Sequence, residues 1–472
     1  MKRILICALI LSATSCKERD PLYCKTSADC KTVERPVCDL TGTAAGSEGL
    51  ANTCVGTGLV DGGPPADAGQ TCPSVCPTDR PVCDMSSGSC RACAADKECA
   101  SGVCDIDSGE CLPESSVLYV ETTGVVSTPC GERATPCRSI GLAVPQLGPS
   151  HPALHLGPGL YDESIQIRGV DATIVGDGAI VDPAAQSQAG LDVADAAGLY
   201  PRVFARSIVF QGATYGVSCV GSGASFATVR LRDVEVNDNL SRGVSAESGG
   251  CDIVFERSKA QNNAATGLIA AGGSKLAIFD SQVLFNNAGV SCFFCQLTIE
   301  RSQISARTGG VGGTRWALQA ASPSKLRVVN NLIFGYGVVG NDPPIILLDY
   351  IASGSVFEFN TIVSSLGGVL KCADQDPGFQ LLVRNSILLA ASGPTMTGSN
   401  CRIEYSLMIE ADGGEGNLMG SAEFVNPGTD FRLQPLSPAR NAANNTEGIN
   451  VDHDGRFRPN GREADMGAFE AP

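Results

Sequence analysis

A short polar signature followed by an apolar run recurs along most of this chain, at a spacing that no helical repeat fills. The segments ARSIVF, LRDVEV, ERSKAQ, FDSQVL, ERSQIS, VNNLIF, FNTIVS, RNSILL and EYSLMI align on Ser207, Asp233, Ser258, Ser281, Ser302, Asn331, Thr361, Ser386 and Ser406. Successive positions lie 26, 25, 23, 21, 29, 30, 25 and 20 residues apart. A glycine followed by an apolar residue returns as a second mark, for example at Gly243-Val244, Gly267-Leu268 and Gly289-Val290. The return leg has no 3.6-residue apolar stripe, and the leucine–asparagine grid of a leucine-rich repeat is missing. Three short strands per repeat account for the pattern, with coils stacked about 4.8 Å apart. Nine such coils give a rod roughly 40–45 Å long. The inward column is expected to hold Phe204, Phe255, Ile278, Ile299, Val328, Val383 and Ile403, with Arg230 and Glu358 as breaks. Fifty-five glycines and an aromatic content of 5% suit such a turn-rich all-β chain.

These coils resemble right-handed parallel β-helix proteins of the pectin-lyase-like group. The stretches LYVETTGVV, CGERATPCRSIGLAV, ALHLGPGLYDESIQI and ATIVGDGAIVD are similar to that group's leading segment. There an extended strand precedes a short amphipathic helix, here about 137–146, that covers the open bottom of the rod. The tail DFRLQPLSPARNAA…VDHDGRFRPNGREADMGAFE is similar to the closing motif of bacterial surface β-helix proteins. The resemblance runs from Val117 to the end, roughly three quarters of the chain. It implies a β-helix over 114–420 and a closing segment over 421–472. It does not choose a function, because the fold hosts lyases, hydrolases and adhesins. Its lyases would need Ca²⁺ on a carboxylate cluster and a base that removes a proton from carbon.

The N-terminus MKRILICALILSATSC joins Lys2 and Arg3 to an apolar run over Ile4–Leu11 and then to small residues before Cys16. Eight apolar residues are too few to span a bilayer, which takes about 20, so the stretch reads as an export signal. Its end resembles a bacterial lipobox, implying cleavage after residue 15 and acylation of Cys16, with 1–16 as the signal region. Lys17, with no aspartate beside Cys16, points to the outer membrane or cell surface. The lipid anchor would make the membrane a partner.

Cysteine usage agrees with export. Of 22 cysteines, setting aside Cys7 and Cys16 leaves 20, an even number in a chain destined for an oxidising compartment. Twelve fall in 17–113 as three modules: Cys24, Cys30, Cys38 and Cys54; Cys72, Cys76, Cys83 and Cys90; Cys93, Cys99, Cys104 and Cys111. A Gly/Pro linker over 56–70 separates the first two. Segments this short need disulfide staples, and sequence leaves the three pairings within each module open. The other eight sort into local pairs: Cys130–Cys137, Cys219–Cys251, Cys292–Cys295 and Cys372–Cys401. Cys90-Arg-Ala-Cys93 lacks the second pair of a zinc ribbon.

Thirty-four basic and 50 acidic residues leave a net charge of −16. That excludes nucleic acid as a partner, and any polyanion held by charge alone. Within the repeat, Arg206, Arg232, Arg257 and Arg301 precede register positions, with Asp280 interrupting and Asn330, Asn360 and Asn385 following. Stacked arginines could grip a polymer through bidentate hydrogen bonds, or face solvent with their charge offset by Glu235, Glu256 and Glu300; on the first reading Arg206, Arg232, Glu256, Arg257, Lys259 and Arg301 are the candidate polymer contacts. Stacked asparagine amides instead suit turn support along the rod. Asp452 and Asp454 form a fragment of a cation loop without its remaining ligands. Only three histidines and one tryptophan, Trp316, are present, which leans the reading away from catalysis and identifies no cofactor. The expectation is an anchored surface β-helix that binds glycan or another surface component. The alternatives are a polysaccharide lyase or hydrolase, with Ca²⁺ if a lyase, or a structural envelope spacer. In the exporting host, Cys16→Ser should abolish metabolic palmitate labelling; persistent labelling would refute the anchor.

Overall fold

The computed structural model describes residues 76–183, 189–222, 225–306, 316–335, 345–365, 367–373, 379–391, 393–398, 400–410, 413–444 and 448–471. It also describes two short strands, Val37–Asp39 and Thr53–Val55, which pair antiparallel with Cys38 opposite Cys54. Cys16, the linker over 56–70, and Cys24, Cys30 and Cys72 lie outside the described residues. One compact unit takes in Cys76–Val82 and Cys90–Pro472; Met1–Val75 with Cys83–Ser89 forms another.

The larger unit is a parallel β-helix. Its first sheet stacks strands such as Ala227–Arg232, Cys251–Glu256, Lys275–Phe279, Gln296–Glu300 and Lys325–Val329. After a tight bend the second sheet stacks Glu235–Asn237, Lys259–Gln261, Gln282–Asn286 and Gln303–Ala306. A third sheet of ten parallel strands runs from Ile165–Arg168 to Met396–Thr397. Alternation within each strand sends every second side chain inward, where one apolar column fills the coil interior. At the base, the helix is shorter than expected. Ile140–Ala143 is α-helical and Val144–Gln146 continues as a 3-10 turn, with Ile140 and Ala143 buried against the first coils.

The inward column differs from the expected one by a single residue in three coils. Ala205, Leu231, Phe255, Ile278, Ile299, Val328, Phe357, Val383 and Ile403 stack in register. Phe204 and Arg230 therefore point outward, and Phe357 takes the place that Glu358 would have broken. The cause is the bend between the first two sheets, made by one left-handed residue per coil: Ser207, Asp233, Arg257, Asp280, Arg301, Asn330, Phe359, Asn385 and Tyr405. Alignment on Ser207, Asp233 and Thr361 mixed this bend position with its neighbours, and a slip of one residue exchanges the two faces of a strand.

Directly after the bend lies a polar column inside the apolar core. The side-chain oxygens of Ser281, Ser302, Asn331, Asn360, Ser386, Ser406 and Asn417 accept the backbone N–H of the matching residue one coil earlier, at 2.9–3.2 Å. Ser258 does the same for Val234 at 3.1 Å. A second ladder joins Asn239, Asn263 and Asn286, where each Oδ1 takes both the N–H and the Nδ2–H of the coil before, or the N–H of Ala213 at the first rung.

Disulfides join Cys130 to Cys137, Cys219 to Cys251, Cys292 to Cys295 and Cys372 to Cys401. In the module nearest the coils the pairing is first to third and second to fourth, Cys93–Cys104 and Cys99–Cys111. Cys76–Cys90 is likewise a second-to-fourth bond. The closing segment folds back along the coils around a buried Arg458–Glu470 pair at 2.8 Å. Asp452 sits at its centre, 0% exposed.

Asn263→Ala would leave the Asn239 N–H without its acceptor and remove the side-chain donor to the Val236 carbonyl, while Asn286 Oδ1 keeps the backbone N–H of residue 263. A loss of about 3 kcal/mol is expected, read by urea unfolding with the disulfides intact; Gln296→Ala, at an exposed position, should change stability by about 0.5 kcal/mol or less.

Candidate functional site

One outward row runs the length of the first sheet: Tyr119, His155, Val175, Arg206, Arg232, Glu256, Phe279, Glu300, Val329, Glu358, Arg384 and Glu404. Both of its ends are covered. Over the C-terminal coils, Val329, Leu332, Phe359, Ile387 and Leu407 pack under Phe424, Phe431 and Met466 of the closing segment. Over the first coils sits the disulfide module Cys93–Cys111. Its Val103 is fully buried against Val117, Tyr119, Ala153 and Val175. Between the two covers, the row from Arg232 to Glu300 remains exposed or half-exposed.

This open stretch holds five of the six candidate polymer contacts, and each is already paired. Arg257, at the bend, makes a bidentate bond to Asp233 of the coil before, and Arg301 does the same to Asp280. Lys259 Nζ lies 3.0 Å from Glu235, Arg327 Nε lies 2.5 Å from Glu300, and Arg232 lies 3.7 Å from Glu256. Arg232, Arg257, Lys259, Arg301 and Arg327 thus balance Asp233, Glu235, Glu256, Asp280 and Glu300 one for one. The aspartates at the bends raise the pKa of Arg257 and of Arg301, chiefly through these hydrogen bonds. Side-chain exposures run from 19% at Arg232 and 24% at Arg301 to 44% at Arg257 and 49% at Lys259. The arrangement is a neutral lattice of donors and acceptors, in which Glu235, Glu256 and Glu300 offset the cations as one of the two readings of the sequence has it.

Arg206 requires a correction as a polymer contact. It lies in the row, but the module covers it and leaves it 2% exposed. Its Nη2 donates to Asp96 Oδ1 at 2.7 Å and to the Cys104 carbonyl, and its guanidinium lies over the Phe204 ring. Asp96 also accepts the Cys104 N–H at 3.0 Å. Nearby, Tyr119 donates to the Ser101 carbonyl at 2.9 Å, while Arg133 reaches both the Tyr119 hydroxyl and the Ala100 carbonyl. Gly102, at φ +72°, rests on His155; a Cβ there would come within 2.8 Å of the ring. Sequence reasoning missed Asp96, Tyr119 and His155. The available signal was the apolar Val175 and the aromatic Tyr119 at outward positions, a pattern that demands a cover.

The other weak candidates resolve simply. Asp452 accepts the amides of Asp454, Arg456 and Glu470 at 2.8–2.9 Å, so its carboxylate is filled by backbone, and Asp454 is exposed. The pair is corrected to a turn-holding device. Asn360 belongs to the inner ladder, while Asn330 and Asn385 donate to Val451 and Asn444 carbonyls of the closing segment. Among the described residues, the only three His, Cys, Asp or Glu side chains whose ligand atoms converge on one point are Cys93, Cys99 and Cys104. All three are in disulfides. No helix among the described residues is long and apolar enough to cross a membrane.

No protein-family model and no curated protein sequence matches the chain. Among solved structures it is similar to the pectate lyase Pel9A, with a TM-score of 0.53 and 15% identity over 80% of this chain and 100% of that one. At that identity the likeness concerns the fold alone.

His155 makes module docking sensitive to pH. Burial pushes its imidazole below its ordinary value of 6.5, with Arg133 acting in the same direction and Asp177, Asp96 and Glu121 against it. The released form therefore takes up a proton more readily than the docked one. Docking is at full strength above pH ~6.5, weakens as pH falls through that value, and levels off below the docked pKa. Between pH 7.5 and 5.5, hydroxyl-radical labelling of Tyr119, whose hydroxyl bonds the Ser101 carbonyl across the contact, should rise in the wild type and change much less in His155→Asn.

Proposed function

We propose that this protein is an exported, surface-anchored β-helix that binds a neutral glycan or another surface component through the open stretch between its two covers. The carrying observation is the charge-balanced lattice around Arg232, Arg257, Lys259 and Arg301, half exposed on consecutive coils. Cross-coil pairing fixes these side chains before any ligand arrives, which lowers the entropic cost of recognition. A polyuronate would meet as many carboxylates as cations, so recognition rests on hydrogen bonding and shape. Export is supported by the seven disulfides from Cys76 to Cys401, and anchoring by the resemblance of the Cys16 region to a lipobox.

Polysaccharide cleavage is the competing reading and draws only on the fold shared with a pectate lyase. A lyase needs carboxylates free to hold Ca²⁺ and a base free to take a proton. Around the open stretch Asp233, Glu235, Glu256, Asp280 and Glu300 are engaged by arginine and lysine. The discriminating experiment incubates the ectodomain with immobilised neutral and uronic polysaccharides, with Ca²⁺ present. Retention on a neutral polymer without new reducing ends or unsaturated products is expected, weakened about tenfold or more in Arg257→Ala/Lys259→Ala. Unsaturated products released by the wild type would overturn the binding reading.

A further inference from the structure

The module over Arg206 is covalently self-contained. Cys93–Cys104 and Cys99–Cys111 close it, so it can leave the coils without unfolding. It joins them through the single turn Glu114–Ser116, directly before the strand that carries Tyr119. What holds it down is modest: one buried aliphatic plug, Val103, with Leu112 beside it; a few polar contacts; an exposed Asp107–Arg230 pair; and the Asp96–Arg206 pair. That pair is only partly made. Nη2 is used, but Nε and Nη1 of Arg206 are buried without a hydrogen-bond partner, and removing one charge pair from water is not by itself a source of stability. A cleft of about 620 Å³ lies beside Arg206, between the module and the outward row. The row beneath the module is continuous in register with the open stretch, Arg206 standing next to Arg232.

We propose that the Cys93–Cys111 module is a displaceable cover over a cryptic continuation of the binding face, with Asp96 occupying at Arg206 the place of a ligand's oxyanion. Release exposes Tyr119 and His155, whose rings lie 5.5 Å apart, followed by Arg206, in line with Arg232. This adds to a charge-balanced surface an aromatic pair and one cation freed of its internal acid. A ligand that bears a carboxylate, sulfate or phosphate among neutral groups fits that order of side chains. The extension rests on the open stretch being the binding face, but the motion of the cover does not.

The test reads the cover without reference to any glycan. Phenylglyoxal modification of Arg206, mapped by mass spectrometry, should be slow in the wild type and at least about tenfold faster in Asp96→Ala, which loses the charge-assisted bond. In that variant, sodium sulfate should restore most of the protection, and sodium chloride of equal ionic strength should not. In the unmodified wild type, phenylglyoxal should still reach Arg206 faster than the protein unfolds globally, a rate read from hydrogen exchange of the Ser281 amide in the inner ladder. Modification of Arg206 no faster than that exchange would show that the module leaves only with global unfolding and would overturn the cover. Failure of sulfate to outperform chloride would overturn the oxyanion assignment.

Discussion

The bend between the first and second sheets is the constraint on which the rest of this molecule depends. Turning the chain there takes one left-handed residue, and the amide that follows points into the core with no strand partner. Burying that N–H unpaired would be costly in every coil. A serine or asparagine at the same place in the next coil removes the problem. Ser281 accepts the Ser258 amide and donates its own proton to the Phe279 carbonyl at 2.6 Å. Because each link is made between coils, the ladder holds register while the spacing of bend residues varies from 20 to 29 residues. Extra residues leave at other corners, and the polar column inside the apolar core stays satisfied.

A solenoid that solves its interior in this way still has an outer face to manage, and here the solution changes along the row. Where the closing segment lies, the row itself still carries Glu358, Arg384 and Glu404, but Val329 and, on the second sheet, Leu332 and Ile387 face outward, so that strands such as Leu332–Gly335 are hydrophobic on both faces. Where the Cys93–Cys111 module lies, the row mixes Val175 with Arg206 and His155. Between them it is charged. The same backbone thus carries a glued cover, a lightly held one and an open stretch, distinguished only by the side chains at every second position.

Much of the architecture was legible in the sequence because period and cysteine spacing are local signals. The register marks at Ser258, Ser281, Ser302 and Asn331 coincide with the ladder, since a requirement repeated in every coil prints itself at a fixed phase. Ser207 and Asp233 misled because the first two coils put Ile208 and Val234 where later coils put serine, leaving the polar bend residue as the nearest match. The open stretch was legible as a cluster of cations offset by Glu235, Glu256 and Glu300, yet its pairing was not. Arg257 and Asp233 are 24 residues apart, and nothing local announces that they form one bidentate pair. The contact of Asp96 with Arg206, 110 residues apart, lies further still from any sequence pattern.

That neutrality bears on function more than the fold does. In a parallel β-helix the outward side chains of neighbouring coils stand about 4.8 Å apart, so any two opposite charges one coil apart will find each other. A catalytic or metal site on such a face must prevent this pairing, by clustering like charges and holding them apart from cations. Here the bends alternate instead: Asp233 is followed by Arg257, and Asp280 by Arg301. Each of these two acids is thereby occupied by a bidentate arginine. A face built on that alternation is stiff, polar and electrically quiet, which suits recognition by contact better than chemistry on a bound polymer.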